Sequence, residues 1–484
     1  MSLSGALSNA ITGLTAASRS AQIVSSNLAN AMTEGYGRRE IALEAQHARG
    51  GGVRVLSTIR HSNPTLITEL RAARADEAAQ NVSSGFFAKL ESLVGTADSG
   101  DSISARLADL EARFVSAASR PDQAGRLDET VRSSKDLARS LNRATQGIQD
   151  ARVAADKQIA KGVEGLNSKL SEIQELNVQI AGGSVAKRDV SALLDQRQIL
   201  IDSVSEWIPI KEMERPNQSV ALYTAGGALL VDGEAAELSF TPAHTIVPHM
   251  TLTGGHLSGV EVNGVAAAIN GEGGPLRGGR LAALFELRDR DAVSAQAELD
   301  AMARDLAARF QTPGLDASVG AGDPGLFTDD GSQVAPINEI GLAGRLSVNP
   351  LVDAAQGGES RRLRDGLGAA VAGPVGNAAQ LQSFADVLSA PRPANSGSFS
   401  GQSLSASELS AQVLSRFASD RLSSEAEMTF AATRASEVET MLLSDGVDSD
   451  QEMQKLMMIE QAYAANAQMM KTVDEMMNTL LRMG

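Results

Sequence analysis

Five histidines and a run of carboxylates near the C-terminus are the side chains that could bind a metal ion in this sequence. His249 and His256 lie seven residues apart across Gly254-Gly255, and a metal site needs more ligands in a tighter group. The acidic residues between Asp445 and Glu452 lack the spacing of a calcium loop. The histidines are scattered: His47, His61, His244, His249 and His256. We therefore predict no metal site.

The sequence also lacks the usual motifs for covalent catalysis and for phosphate binding. The chain has no cysteine, which excludes disulfides and thiolate ligands. The glycine-rich stretch 271–279 is not followed by the Lys-Ser/Thr of a phosphate-binding loop, so it is interpreted as a linker. No Gly-x-Ser-x-Gly elbow is present. The sequence predicts a protein without catalytic residues or a cofactor.

Both ends of the sequence contain apolar residues at helical spacing. The stretch 449–484 has no proline, and its only glycine is the last residue. Its apolar residues recur in steps of three and four, which is the seam of a coiled coil. The seam consists of Leu456, Ile459, Tyr463, Asn466, Met470, Val473, Met477 and Leu480.

The N-terminal stretch repeats this pattern from Leu3 to Ala31, with Arg19 as the only charge in the first 33 residues. Two such helices are expected to pair with each other, although periodicity alone is equally consistent with two ordinary core helices. An isolated helix pair is marginally stable in water. We therefore predict that both ends fray in the monomer and become ordered when neighbouring subunits supply more surface.

Composition and charge exclude several other classes. The net charge of −16 argues against nucleic acid, which requires a basic surface. No apolar run is long enough to cross a membrane, and the first helix lacks the basic face of a membrane-surface helix. The N-terminus also lacks the pattern of a cleaved signal peptide. These features predict a protein that is cytosolic or is exported without such a signal.

The middle of the chain is helical on both sides of a short β segment. The longest helix is predicted from Pro121 to about Ala181, with bends at Gly162 and Gly165 and an end at Gly182-Gly183, before a new helix from Ser184. From Trp207 the apolar period changes to two, with turn residues such as Asn263-Gly264.

The predicted fold class is mainly α with a small inserted β domain. The terminal helices, 1–35 and 447–484, form a coiled-coil-like domain. A long-helix bundle comprises 36–205 and 276–446, and the β domain comprises 206–275.

Three segments resemble a known family, the bacterial flagellar axial proteins (rod, hook and hook-associated proteins). Residues 26–36 are similar to the Asn-x-x-Asn-x-x-Thr-x-Gly-Tyr/Phe segment that ends their N-terminal helix, although Gly37 stands where Ser or Thr is frequent. Residues 460–467 and 472–476 resemble their shared C-terminal motif. Residues 193–197 and 226–233 resemble the hook-associated members, whereas hook and rod proteins as a class lack this middle segment.

The resemblance implies a structural subunit at the extracellular junction between hook and filament, exported by the flagellar type III apparatus. It implies as partners further copies of the chain, the hook protein, hook-associated protein 3, and an export chaperone on the C-terminal helix. The expected assembly interface comprises Leu3, Leu7, Leu14, Val24, Asn27, Leu28, Asn30, Gly35, Tyr36, Leu456, Ile459, Tyr463, Asn466, Met470, Val473, Met477 and Leu480.

Within this set, Asn27, Asn30 and Asn466 are predicted to fix register through hydrogen bonds between chains, with solvation at a helix edge as the alternative. Two other functions stay open at this point. One is a different axial subunit, such as a hook or rod protein. The other is an acidic secreted adhesin or enzyme with helical oligomerisation ends.

Overall fold

The computed structural model describes residues 3–46, 51–96, 98–269 and 273–483. Helices dominate this part of the chain. They are α1 (Leu3–Ala29), α2 (Pro64–Val94), α3 (Ile103–Ser119), α4 (Ala124–Val185), α5 (Ser191–Trp207), α6 (Gly279–Glu286), α7 (Ala292–Phe310), α8 (Leu342–Arg345), α9 (Arg362–Asp365), α10 (Ala379–Ser389), α11 (Ala406–Asp445) and α12 (Ser449–Met483).

The strands are short and pair antiparallel. They are β1 (Arg38–Ala45), β2 (Val53–His61), β3 (Ile210–Glu214), β4 (Val220–Thr224), β5 (Leu229–Asp232), β6 (Glu234–Ala235), β7 (Leu238–Ser239), β8 (Val260–Val262), β9 (Val265–Ala267), β10 (Phe327–Asp329), β11 (Leu346–Val348), β12 (Arg392–Pro393) and β13 (Ser403–Leu404). Strands β3–β6 form one sheet in sequential order and β7–β9 form another, while three further pairs are two-stranded. The predicted fold class, mainly α with a small β insertion, is confirmed.

The long helix α4 is the axis of the body, and its 62 residues continue through both glycines that were expected to bend it. Gly162 has a packing role instead. A Cβ there would lie 2.1 Å from the ring of Trp207, so the absent side chain leaves room for the indole. The apolar residues of α4 recur every three or four positions and lie in the main core of the body.

The predicted end of α4 at Gly182-Gly183 is wrong, as is the predicted start of the next helix at Ser184. Both glycines remain helical, and the chain turns at Lys187, whose φ is +55°. The backbone N–H of Lys187 donates to Ser184 and that of Arg188 to Gly183, which satisfies the last carbonyls of the helix. Helix α5 therefore begins only at Ser191.

The β insertion lies on α4 and is held there by side-chain amides. Asn167 accepts from the backbone N–H of Leu238 and donates to its carbonyl, at 2.9 and 2.8 Å. Asn177 makes the same pair of bonds with Val220, at 3.1 and 2.9 Å. Apolar residues of strands β3–β8 belong to the same core as α4. The insertion therefore shares the core of the helical body.

The terminal helices form a separate layer beside this body. Helices α1 and α12 pack against each other, and the β1–β2 hairpin packs on α1. The backbone N–H of Val53 in β2 donates to Thr12 of α1 at 3.3 Å. Helix α11 packs along α2 and reaches α12 through Gly446. The hairpin, assigned from the sequence to the long-helix region, thus accompanies the terminal helices.

Candidate assembly interface

Small residues allow α1 and α12 to approach closely. Ala10, Ala16 and Ala17 of α1 are buried. A Cβ on Gly13 would lie 2.8–2.9 Å from the carboxamide of Asn466, so the glycine accommodates that side chain. Since Asn27 meets Glu452 while Gly13 meets Asn466, the two helices run antiparallel.

Asn27 is completely buried and uses both ends of its carboxamide. Its Nδ2 donates to the carbonyl of Arg39 and to Oε2 of Glu452, both at 2.9 Å. Its Oδ1 accepts from the Tyr36 hydroxyl at 2.8 Å and from the Arg39 backbone N–H at 3.0 Å. All four hydrogen-bonding positions are thus used within one chain. This corrects the predicted roles of Asn27, since its side chain has no capacity for a bond between chains and no exposure to solvent.

Glu452, in the first turn of α12, is 1% exposed and still carries compensating charge. Its carboxylate accepts from Lys455 at 2.9 Å and lies 3.7 Å from the guanidinium of Arg38. With the bond from Asn27, the carboxylate has a neutral donor and two cationic neighbours. A buried carboxylate without such partners would be strongly destabilising. The group therefore joins α12, α1 and β1.

Asp195 of α5 connects this layer to the helical body. Its carboxylate accepts from the Gly37 backbone N–H at 3.1 Å and from the guanidinium groups of Arg39 and Arg60, both at 2.6 Å. The three charged side chains are 12–18% exposed. One carboxylate of the body thus binds the segment after α1 and both strands of the hairpin, and we name this group the Asp195 latch.

Gly35 makes the latch geometrically possible. Its φ is +76°, in the left-handed region that favours glycine. A Cβ at this position would lie 2.5 Å from Cγ1 of Ile199 on α5. The Gly35 carbonyl accepts from Arg60 at 3.2 Å. The chain can therefore turn close to α5 only because this residue has no side chain.

A second ion cluster ties α2 to α5 and β3. Arg71 of α2 is buried and bonds to Asp202 of α5 and, at 2.7 Å, to Glu212 of β3. Burial opposes the charge of Arg71, but the two carboxylates outweigh burial and raise the pKa of its guanidinium. Burial raises the pKa of Asp202 despite the attraction of Arg71. The cluster fixes the helix on which Asp195 lies.

The residues predicted for the interface differ in burial. On α1, Val24 and Asn27 are buried, whereas Leu3, Leu7, Leu14 and Leu28 are half-buried. Asn30 donates to the Ser26 carbonyl on its own helix. Gly35 lies at the Asp195 latch, where its carbonyl accepts from Arg60. Tyr36 donates its hydroxyl hydrogen to Asn27. On α12, Val473 is buried, whereas Leu456, Ile459 and Asn466 are half-buried. The remaining seam residues are 39–57% exposed: Tyr463, Met470, Met477 and Leu480.

Helix α12 therefore leaves most of its apolar surface uncovered within the described chain. Between Ser449 and Met483, only Glu452 and Val473 are buried. Asn466 donates to the carbonyl of Ala462 on its own helix. A groove of about 430 Å³ runs between α1, α12 and the hairpin, and its walls include Ile23, Leu43 and Met458.

Sequence reasoning missed the charged residues of this region. Glu452, Arg39 and Arg60 were not selected, and Asp195 was noted only as part of a motif. A buried ion group is not visible in a periodic pattern, because its partners come from distant segments. The one local indication was the acidic residue in the first turn of α12, where a carboxylate favours the helix N-terminus.

Neither a metal site nor a membrane-spanning helix is found in the part of the chain that the structure describes. No three His, Asp or Glu side chains there lie close enough to hold a metal ion. The rings of His249 and His256 meet edge to face at 5.6 Å, while His47 and Gly271 lie outside the described residues. Among the described helices, none is sufficiently long and apolar to cross a membrane.

Comparisons with known proteins find two regions of this chain that are similar to flagellar proteins. Residues 87–325 match the family model of the flagellar hook-associated protein FlgK helical domain. Residues 439–483, which include α12, match that of the flagellar basal body rod FlgEFG protein C-terminal region. The helical body and the C-terminal helix are therefore similar to those of flagellar axial proteins. Because the model that matches the helical body is that of FlgK, this part of the chain is similar to flagellar hook-associated protein 1.

Individual relatives are similar over part of the chain. Flagellar hook-associated protein 1 of Escherichia coli (strain K12) is 22% identical over 334 residues, covering 66% of this chain and 59% of the relative. That of Salmonella typhimurium is 24% identical over 276 residues, covering 53% and 48%. The structure of the flagellar hook junction protein FlgK from Burkholderia pseudomallei aligns with a TM-score of 0.43 at 21% identity, over 54% of this chain and 46% of that one. The chain thus spans about half to three-fifths of these relatives.

Proposed function

We propose that this chain is a structural subunit of the bacterial flagellum, placed at the junction of hook and filament. One observation carries the proposal: a body of the FlgK type carries a terminal helix, α12, whose apolar seam is largely exposed. An exposed apolar helix face on a folded chain is suited to burial against other subunits. The role is mechanical, and no catalysis is proposed.

In this proposal the terminal helices, 1–35 and 447–484, line the inner tube of the axial structure. The helical region from 62 to 205 and from 276 to 446 forms the outer wall, and residues 206–275 lie on its outside. The β1–β2 hairpin stays beside the terminal helices. The predicted interface residues of α1 and α12 that are exposed or half-buried in the single chain contact neighbouring subunits. The Asp195 latch transmits force between the inner and outer parts, because it joins α5 to the hairpin beside α1.

The proposed partners are further copies of the chain, the hook protein below and hook-associated protein 3 above. Before assembly an export chaperone covers α12, since an apolar face of this size would otherwise promote aggregation. Export proceeds through the flagellar type III apparatus.

Purified protein added to isolated hooks tests this function by electron microscopy. The unaltered chain should add a defined layer to the hook tip. Leu480 of α12 and Leu422 of α11 are both 57% exposed, which makes them a matched pair. Leu480→Lys should reduce binding at least tenfold, because a lysine charge would be buried without a partner. Leu422→Lys should bind as the unaltered chain does. Bare hook tips with the unaltered chain would refute the function.

Removal of residues 449–484 tests whether the body folds without the helix that is proposed to mediate assembly. We expect a folded soluble monomer that does not join the hook, because the core of the body lies outside α12. Circular dichroism should show that the helical signal of the body is kept, with a loss no larger than that of α12 and its partner α1. Global unfolding of the truncated chain would contradict the proposal.

A further inference from the structure

Helix α12 contains eight of the fifteen methionines in the chain. All eight are exposed, by 39–81% of their surface. Methionine elsewhere can be protected, since Met302 of α7 is only 5% exposed. The methionines of α12 are Met453, Met457, Met458, Met469, Met470, Met476, Met477 and Met483.

Four of them form a stripe along one side of the helix, namely Met458, Met469, Met476 and Met483. Their spacings of eleven, seven and seven residues are close to whole numbers of helical turns. They are 62%, 49%, 51% and 81% exposed, respectively. Met458 also lines the groove between α1, α12 and the hairpin. The methionine stripe thus extends from the groove to the end of the described helix.

The thioether of an exposed methionine reacts with peroxides. The sulfur lone pair attacks one oxygen of hydrogen peroxide, and an S–O bond forms as the O–O bond breaks. The departing hydroxide takes the proton of the new S–OH group and leaves as water. Sulfur is oxidised by two electrons and the peroxide is reduced by two. The product is a polar, chiral sulfoxide, which reductases convert back to the thioether. The chain has no cysteine, so no thiol competes for the oxidant.

We propose that the methionine stripe is a reversible peroxide-modification site that controls assembly. The reduced stripe is an adaptable apolar surface that packs against a neighbouring subunit. The sulfoxide stripe is polar, and its burial without matching donors opposes packing. Its effect on assembly depends on the function proposed above, whereas the selective oxidation of α12 does not.

The first measurement treats the full-length monomer with hydrogen peroxide and maps the products by mass spectrometry. The four stripe methionines should oxidise before Met302. Hook binding should then fall at least tenfold, circular dichroism should stay unchanged, and methionine sulfoxide reductases should restore binding. Equal oxidation of Met302, or loss of the helical signal on oxidation, would overturn the proposal.

Variants provide the decisive comparison. Replacing all four stripe methionines by leucine (Met458→Leu, Met469→Leu, Met476→Leu and Met483→Leu) should preserve hook binding and remove most of its sensitivity to peroxide. Met441→Leu, at a methionine of α11 that is 56% exposed, should leave the sensitivity unchanged. If untreated protein binds hooks and the fourfold variant is as sensitive to peroxide as the unaltered chain, this inference alone is wrong. If untreated protein does not bind hooks, the proposed function and this inference both fail.

Discussion

The carboxamide of Asn27 donates to the carboxylate of Glu452 over 2.9 Å, and this bond joins residues 425 positions apart in the chain. Both side chains are almost inaccessible to solvent, with 0% and 1% exposure. Together they lie where the C-terminal end of α1 meets the beginning of α12. The pairing of the two terminal helices is therefore specified by a polar contact as well as by the apolar seam.

Asn27→Asp should weaken the helix pair, because a second carboxylate would face Glu452 and the donors would be lost. We expect a cost of roughly 3 kcal/mol, typical of a buried unpaired charge. Hydrogen exchange of the α1 and α12 amides measures this opening. The double variant Asn27→Asp/Glu452→Gln should recover part of the loss, since the amide introduced on α12 could donate to the carboxylate introduced on α1. No recovery would mean that the two side chains are not coupled.

Asp195→Ala should release the hairpin from α5 while the body stays folded. It removes the acceptor of two guanidinium groups and one backbone N–H. We expect a local loss of about 2–3 kcal/mol, because the partners are mostly buried. Hydrogen exchange across β1 and β2 should report it. Glu44→Gln is the control within the hairpin, since its ion pair with Arg54 is more than half exposed and is worth under about 1 kcal/mol.

Gly35→Ala should destabilise the same connection for steric reasons. The new Cβ would meet Ile199 at 2.5 Å and the backbone would remain at a φ of +76°. The expected cost is about 2–3 kcal/mol, measured by urea unfolding or local hydrogen exchange. Gly227→Ala provides the comparison, because Gly227 has a φ of +92° and open space around its Cβ position. An equal cost at both sites would show that contact with Ile199 contributes nothing.

Stability should also respond to the ionisation of Asp300. Burial raises the pKa of this carboxyl to about 6, against hydrogen bonds from Ala343, Gly341 and Gln296. Because the folded pKa exceeds the ordinary value of about 3.8, the stabilisation is complete only below that value and is lost as pH rises through 6. The change amounts to roughly 3 kcal/mol. Urea unfolding at pH 4 and pH 7 should show that the unaltered chain loses this stability relative to Asp300→Asn.

The terminal helices of the isolated chain should exchange their amide hydrogens faster than α4. Helix α12 has only two buried residues, whereas α4 contributes many to the core. Few buried contacts lower the free energy of local opening. Exchange followed by mass spectrometry compares the three helices in one sample. Equal protection of α1, α12 and α4 would refute the idea that these ends require neighbouring subunits.

Much of the local structure was predictable. The spacing of Leu456, Ile459 and Val473 predicted a helix, and α12 is one. Asn263-Gly264 predicted a hairpin turn, and both residues have positive φ between β8 and β9. Each of these features depends on residues a few positions apart. The end of α4 was mispredicted because the turn is made by Lys187, a residue that rarely adopts positive φ.

The sequence by itself determined the helical ends, the long central helix, the β insertion and the resemblance to flagellar axial proteins, because periodicity and motifs are properties of neighbouring residues. Only the tertiary structure decided that Asn27 is buried against Glu452 and that Asp195 binds Arg39 and Arg60. A buried charge is stable only beside its partners, and those partners come from segments whose proximity is created by folding.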